Sequence, residues 1–267
     1  MVEVAITAAW LADHLNDPNV AIADCRFALM QPELGRQQYR EGHIPGAYYF
    51  DLNQDLSSPV QKHGGRHPLP DPEQFAHKLS QLGITPSTLV VAYDDSRFGF
   101  AARFWWLLRY LGHENVRVLD GGFANWQNLG YPVTSIVPTE RAGNFTPEIQ
   151  SDWIADIAAV KAGTSTLIDS REAERYRGER EPIDPIAGHI PGAVNYPWQL
   201  VTDDRGFLKS TETLKEHWSN IKDDPIVYCG SGVTACVNLL ALAASGIDRA
   251  KLYPGSWSDW CSYLEQG

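Results

Sequence analysis

The stretch Ile226-Val227-Tyr228-Cys229-Gly230-Ser231-Gly232-Val233-Thr234-Ala235-Cys236 holds the residues best suited to chemistry. An apolar run of strand type ends at a cysteine, two glycines permit a tight turn, and a helix-forming run follows. A side chain at the carboxyl end of a parallel strand stands where open α/β sheets bind ligands, and successive backbone N–H groups there converge on an anion. The same amides, with the dipole of the following helix, favour a thiolate. An isolated cysteine is more often a small buried apolar residue. Packing, however, does not ask for a cysteine flanked by glycines between a strand and a helix, so Cys229 is the expected nucleophile. A cysteine phosphatase would need an arginine six positions after its cysteine to close on a tetrahedral oxyanion, and Ala235 stands there. With only Gly230, Ser231 and Gly232 behind the thiol, the cradle suits a single terminal sulfur carrying negative charge, a persulfide.

The elements that position this loop occur twice. His43-Ile44-Pro45-Gly46-Ala47 returns as His189-Ile190-Pro191-Gly192-Ala193, and other pairs follow in the same order. Asp24-Cys25-Arg26 matches Asp169-Ser170-Arg171, Val90-Val91-Ala92-Tyr93 matches Pro225-Ile226-Val227-Tyr228, and Gly121-Gly122-Phe123 matches Gly255-Ser256-Trp257. The repeat is far longer than a solenoid unit, so each copy is expected to own a core. Thr166-Leu167-Ile168-Asp169 and Pro225-Ile226-Val227-Tyr228 read as buried parallel strands. Residues 153–160 and 233–244 read as amphipathic helices, the latter stopped by Gly246, and 101–111 as a helix halted at Gly112. The expectation is an α/β fold of two tandem domains, each a mainly parallel sheet flanked by helices: 1–138, a linker 139–150, and 151–267.

The whole chain has 267 residues, 22 Lys+Arg against 33 Asp+Glu, and a net charge of −11. That balance repels a nucleic-acid backbone, so no nucleic-acid partner is expected. No apolar stretch approaches the roughly 20 residues that span a bilayer, and the start lacks a basic segment followed by an apolar core. No membrane partner and a cytoplasmic location are therefore expected. Four cysteines without a Cys-x-x-Cys pair do not make a disulfide framework.

His-Ile-Pro-Gly-Ala twice, the cysteine loop, and Gly255-Ser256-Trp257-Ser258-Asp259-Trp260 together resemble the two-domain rhodanese-type sulfurtransferases over nearly the whole chain. That resemblance implies two rhodanese-like modules, a catalytic cysteine only in the second, and ping-pong transfer of a sulfane sulfur through a Cys229 persulfide held by the amides of Gly230, Gly232, Val233 and Thr234. The first module has Asp94 at the cysteine's place. The loop Cys229-Gly230-Ser231-Gly232-Val233-Thr234 is similar at all six positions to that of the 3-mercaptopyruvate branch, whereas thiosulfate-preferring relatives often carry basic residues there. By the same resemblance Arg175 holds the donor's carboxylate, which a guanidinium fork suits. The second arginine usual after Glu-Pro is replaced by Ile183, with Arg180 as a stand-in. Ser231 and His67 form a proton relay, and the aspartate expected to support the histidine is Asn53, with Asp51 or Asp55 as substitutes. A thiol, thioredoxin or cyanide is the implied acceptor, and no cofactor is implied. Thiosulfate sulfurtransferase activity is the alternative, and a persulfide carrier serving a partner protein is a second one.

Other residues read as structural. His43 and His189 recur in both copies although one lacks a nucleophile, which marks a turn. Gly64-Gly65 between His63 and His67 spoils metal-ligand spacing, so no metal is expected. Cys236 reads as core, and Trp105, Trp106, Trp257 and Trp260 as module packing with one of them free to line the cleft.

Overall fold

The computed structural model describes residues 3–264; Met1 and Val2 of the start read above, and 265–267 of the second copy, lie outside the described residues. The first copy contributes strands β1 (Ala5–Ile6), β2 (Val20–Asp24), β3 (Ala47–Tyr49), β4 (Leu89–Tyr93) and β5 (Val116–Leu119). Its helices are α1 (Ala8–Asp13), α2 (Glu33–Glu41), α3 (Pro72–Gln81), α4 (Ala101–Tyr110) and α5 (Gly122–Asn128). The second contributes β6 (Leu167–Asp169), β7 (Val194–Asn195), β8 (Ile226–Tyr228) and β9 (Lys251–Leu252), with α6 (Ile157–Ala162), α7 (Ala173–Tyr176), α8 (Thr211–His217), α9 (Ala235–Ser245) and α10 (Ser256–Leu264).

Every ladder is parallel. The first sheet runs β1-β5-β4-β2-β3 and the second β7-β6-β8-β9. A single parallel bridge from Ile154 to Leu252 stands where β1 pairs with β5 in the first copy, so the two sheets share one order. In both, the strand that ends at the candidate site lies at the middle, and the apolar runs Val90-Val91-Ala92-Tyr93 and Ile226-Val227-Tyr228 are buried throughout. Burial on both faces explains why neither run alternates.

The stretch 153–160 is not one helix. A 3-10 turn ends at Trp153, Ile154 pairs with the sheet, and Asp156 caps α6 by accepting from the Ala159 amide at 2.8 Å. The helix after Cys229 is also not amphipathic in place, because every residue of α9 is buried. It packs on α4, equally buried, which follows the corresponding loop of the first copy. The two helices that leave the two strand ends thus pack on each other across the contact between the modules. Residues 139–150 run along the first copy, with Gly143 N donating to Ser80 O at 2.7 Å and Gln150 N to Tyr110 O at 2.8 Å.

Candidate functional site

Cys229 follows the last residue of β8 and is buried. Its amide donates to Ser256 Oγ at 3.1 Å, and its carbonyl accepts from Trp257 N at 3.0 Å. Ser256 adopts φ 55°, a left-handed conformation that is uncommon for a residue with a Cβ and is held here by packing and by its bond to Tyr253 O at 2.9 Å. Gly232 sits at φ 75°, and a Cβ there would lie 2.3 Å from Pro254 O, so only glycine lets the loop turn this closely over the neighbouring strand end. Among the described residues, no protein acceptor takes the amides of 230–234. They remain available to an anion at the sulfur.

The loop forms the floor of a cleft of about 470 Å³ between the modules, lined by Phe27, Met30 and Phe100 from the first and by Arg171, Arg175 and Trp198 from the second. Arg175 reaches Glu181 Oε1 at 2.7 Å and Asp184 Oδ2 at 3.1 Å. Arg66, from the first module, bonds the other oxygen of Asp184. Both guanidinia converge on Gly230: a Cβ there would lie 3.0 Å from Arg66 Nη2 and 3.5 Å from Arg175 Nη2. Burial and the Arg175 charge lower the Arg66 pKa, with burial the larger cause. Arg180 does not take part. Its side chain is 66% exposed, lies 3.9 Å from Glu174, and does not line the cleft that Arg175 enters. Ile183 lines the cleft, so the position after Glu-Pro supplies apolar surface, and the guanidinium beside that of Arg175 is Arg66 of the other module.

Ser231 Oγ lies 2.8 Å from His67 Nδ1. Burial, with Arg103 and Arg66 nearby, lowers the His67 pKa to about 4, so the imidazole is neutral near pH 7. No carboxylate pairs with His67 among the described residues. Asp51 is committed to the amides of Asn53 and Gln54, at 2.9 and 3.1 Å. Asp55 is committed to Asp51 N and to Lys78, at 2.8 and 2.6 Å. Neither aspartate supports the histidine.

The loop bearing Arg66 and His67 is tied to α10. Gly64 N donates to Asp259 Oδ1 at 2.7 Å, Arg66 N to Ser258 Oγ at 3.1 Å, and His63 Nδ1 lies 2.7 Å from Ser262 Oγ. His43 and His189 stack on Tyr39 and Tyr176, each with Nδ1 2.7 Å from that tyrosine's carbonyl oxygen, outside the cleft. Trp257 is buried over Arg171, and Trp105 and Trp106 lie between the modules, so the cleft tryptophan is Trp198. Among the described residues no three His, Cys, Asp or Glu side chains are grouped to hold a metal ion, and no helix is long and apolar enough to cross a membrane.

Sequence reasoning missed Arg66, Asp184 and Ser256. Arg66 stands beside His67, yet only the packing of one module on the other reveals what it faces. Asp184 follows the position where an arginine was sought.

The profile of the rhodanese-like domain matches the chain twice, over residues 7–129 and 152–263. A Pseudomonas aeruginosa protein named as a 3-mercaptopyruvate sulfurtransferase is 44% identical over 266 residues, covering 96% of this chain and 94% of its own length. A Mycobacterium tuberculosis protein named for thiosulfate sulfurtransferase activity is 40% identical over 271 residues, covering 97% of this chain and 94% of that one. The crystal structure of the Escherichia coli 3-mercaptopyruvate enzyme superposes with a TM-score of 0.84 at 36% identity, covering 96% of this chain and all of that one. The chain belongs to the rhodanese family, as two rhodanese-like domains in tandem.

Proposed function

We propose that this sulfurtransferase takes its sulfur from 3-mercaptopyruvate and passes it to a thiol through a persulfide on Cys229. The observation that carries this is the meeting, over one buried thiol, of loop amides without protein acceptors and two guanidinia suited to a carboxylate. Arg175 and Arg66 bind the donor's carboxylate and bring its sulfur onto Cys229. The thiolate attacks that sulfur, an S–S bond forms, the C–S bond breaks, and its electron pair passes into the enolate of pyruvate. The loop amides stabilise the charge left on the persulfide. Ser231 delivers a proton to the enolate carbon and is reprotonated through the neutral imidazole of His67. An acceptor thiolate then attacks the outer sulfur and releases Cys229 as thiolate. Small thiols, a thioredoxin-type dithiol and cyanide all fit that second step, and the unbridged thiols of Cys25, Cys229 and Cys236 agree with a reducing, cytoplasmic setting.

Incubation with 3-mercaptopyruvate is expected to add about 32 Da to the Cys229 peptide and to release pyruvate; a Cys229→Ser protein that still turned over would overturn the assignment. Thiosulfate is the competing donor, favoured by the nearness of Arg66 to the loop and by the name of the mycobacterial relative. Comparison of kcat/KM for the two donors decides, with at least about tenfold preference for 3-mercaptopyruvate expected, roughly 1.4 kcal/mol. A stable persulfide that discharges only to a protein partner would instead mark a carrier.

A further inference from the structure

Arg103 lies in α4 of the first module, fully buried, and its guanidinium reaches beneath the Cys229 loop. Nη1 donates to Gly232 O at 3.0 Å, and Nη2 donates to His67 O at 3.2 Å and Leu56 O at 3.4 Å, while Nε has no hydrogen-bond partner. Among the described residues no carboxylate pairs with Arg103. The other buried arginines differ: Arg26 and Arg171 each grip an aspartate at 2.6 Å, and Arg109 pairs with Glu114 and Asp248 at 2.9 and 3.0 Å. A guanidinium removed from water and facing carbonyl dipoles and the thiol of Cys236 is destabilising unless an anion lies within reach. Two groups whose negative forms act on it are the sulfurs of Cys236 and Cys229. Burial pushes the Cys236 thiol up to about 12, so it stays neutral, and the anion that Arg103 can serve is the one that the proposed sulfur transfer forms on Cys229.

We infer that Arg103 is an electrostatic positioning residue of the sulfur-transfer site, its charge serving the anionic sulfur on Cys229 from inside the protein. This rests on the reading of Cys229 as nucleophile. The C=O of Gly232 and the N–H of Val233 share one planar trans peptide and point in opposite directions. By holding that carbonyl below the loop, Arg103 therefore turns the Val233 amide away from itself, toward the cleft. The other groups facing Cys229 are Arg66 and Arg175 from the cleft, Cys236 from α9, and His67 through Ser231. Arg66 and Arg175 share Asp184 and meet the donor. Arg103 stays behind the sulfur through both halves of the cycle.

The test is the rate of Cys229 alkylation by iodoacetamide, read by mass spectrometry of the Cys229 peptide, in the full chain with Arg103→Gln or Arg103→Lys. Circular dichroism and Tm accompany it. Arg103→Gln keeps N–H donors but loses the charge; alkylation at neutral pH is expected to fall about tenfold, and the deficit to close in alkaline buffer, where hydroxide supplies the ionisation. Arg103→Lys is expected to stay within about threefold of wild type. A folded Arg103→Gln protein with wild-type alkylation, or with a deficit unchanged in alkali, would reduce Arg103 to a structural role. If the glutamine variant does not fold, a folded lysine variant slowed tenfold overturns the inference equally. A wild-type Cys229 inert to iodoacetamide would instead remove the functional reading on which it rests.

Discussion

Asp94 follows the last residue of β4 and Cys229 the last residue of β8, and each strand passes through a loop into a buried helix that packs on its counterpart. In the first module the Asp94 carboxylate accepts from Ser96 N at 2.8 Å, Phe98 N at 3.1 Å, Phe100 N at 2.9 Å and Ala101 N at 2.8 Å. That loop is one residue longer and has Arg97 and Phe98 in the left-handed region. In the second module the side chain at the strand end is a thiol, and the amides of 230–234 have no protein acceptor among the described residues. Duplication thus left two anion cradles, one closed on its own carboxylate and one open to an anionic sulfur. A single replacement at the strand end, with the loop length adjusted around it, separates a scaffold from a site.

Moving the nucleophile tests this contrast most severely. Cys229→Ser is expected to reduce pyruvate release from 3-mercaptopyruvate by at least about a thousandfold, some 4 kcal/mol in the barrier, and adding Asp94→Cys to recover none of it. Substantial turnover by the double variant would mean that the loops differ only in that side chain. Asp94→Ala strands three buried amides and the half-buried amide of Ser96 and is expected to cost about 3 kcal/mol or more; a urea midpoint left in place would show that the first cradle is not closed by its carboxylate.

The first module also lends residues to the open cradle, and two milder tests probe that loan. The folded-state pKa of His67 is lowered from 6.5 to about 4 by burial first and then by Arg103 and Arg66. Between those values the unfolded chain binds a proton that the folded one refuses, so stability is full above the upper value and falls as pH drops toward the lower, by up to about 3 kcal/mol. Unfolding of His67→Gln across that window is expected to be flatter by this amount, and an unchanged slope would reject the buried neutral imidazole. Arg66→Ala is expected to raise KM for 3-mercaptopyruvate about tenfold with kcat within about threefold, near 1.4 kcal/mol. Equal losses in kcat would place Arg66 in the reacting step rather than in donor capture.

Much of the fold was legible because the repeat is local: His-Ile-Pro-Gly-Ala and the apolar strand cores announce themselves in the chain. Cys229 was legible for the same reason, since strand, cysteine, glycines and helix are consecutive. What was not legible depends on one module meeting the other. Arg66 and Arg103 lie far from Cys229 in sequence and reach it only through module packing, so no spacing rule points to them. Arg180 was a local choice, whereas the guanidinium beside Arg175 is that of Arg66, distant in sequence. Ile154 was absorbed into a helix because its pairing with Leu252 is also non-local.

The hydrogen bonds from Gly64 and Arg66 to Asp259 and Ser258 have a consequence for biosynthesis. Arg66 and His67 are made early and Cys229 late, yet the loop that carries the first two is fastened to α10, which leaves the ribosome after all of them. The nascent chain therefore holds every reactive group before it holds the clasp that aligns them. Alignment of those groups by the clasp waits for α10.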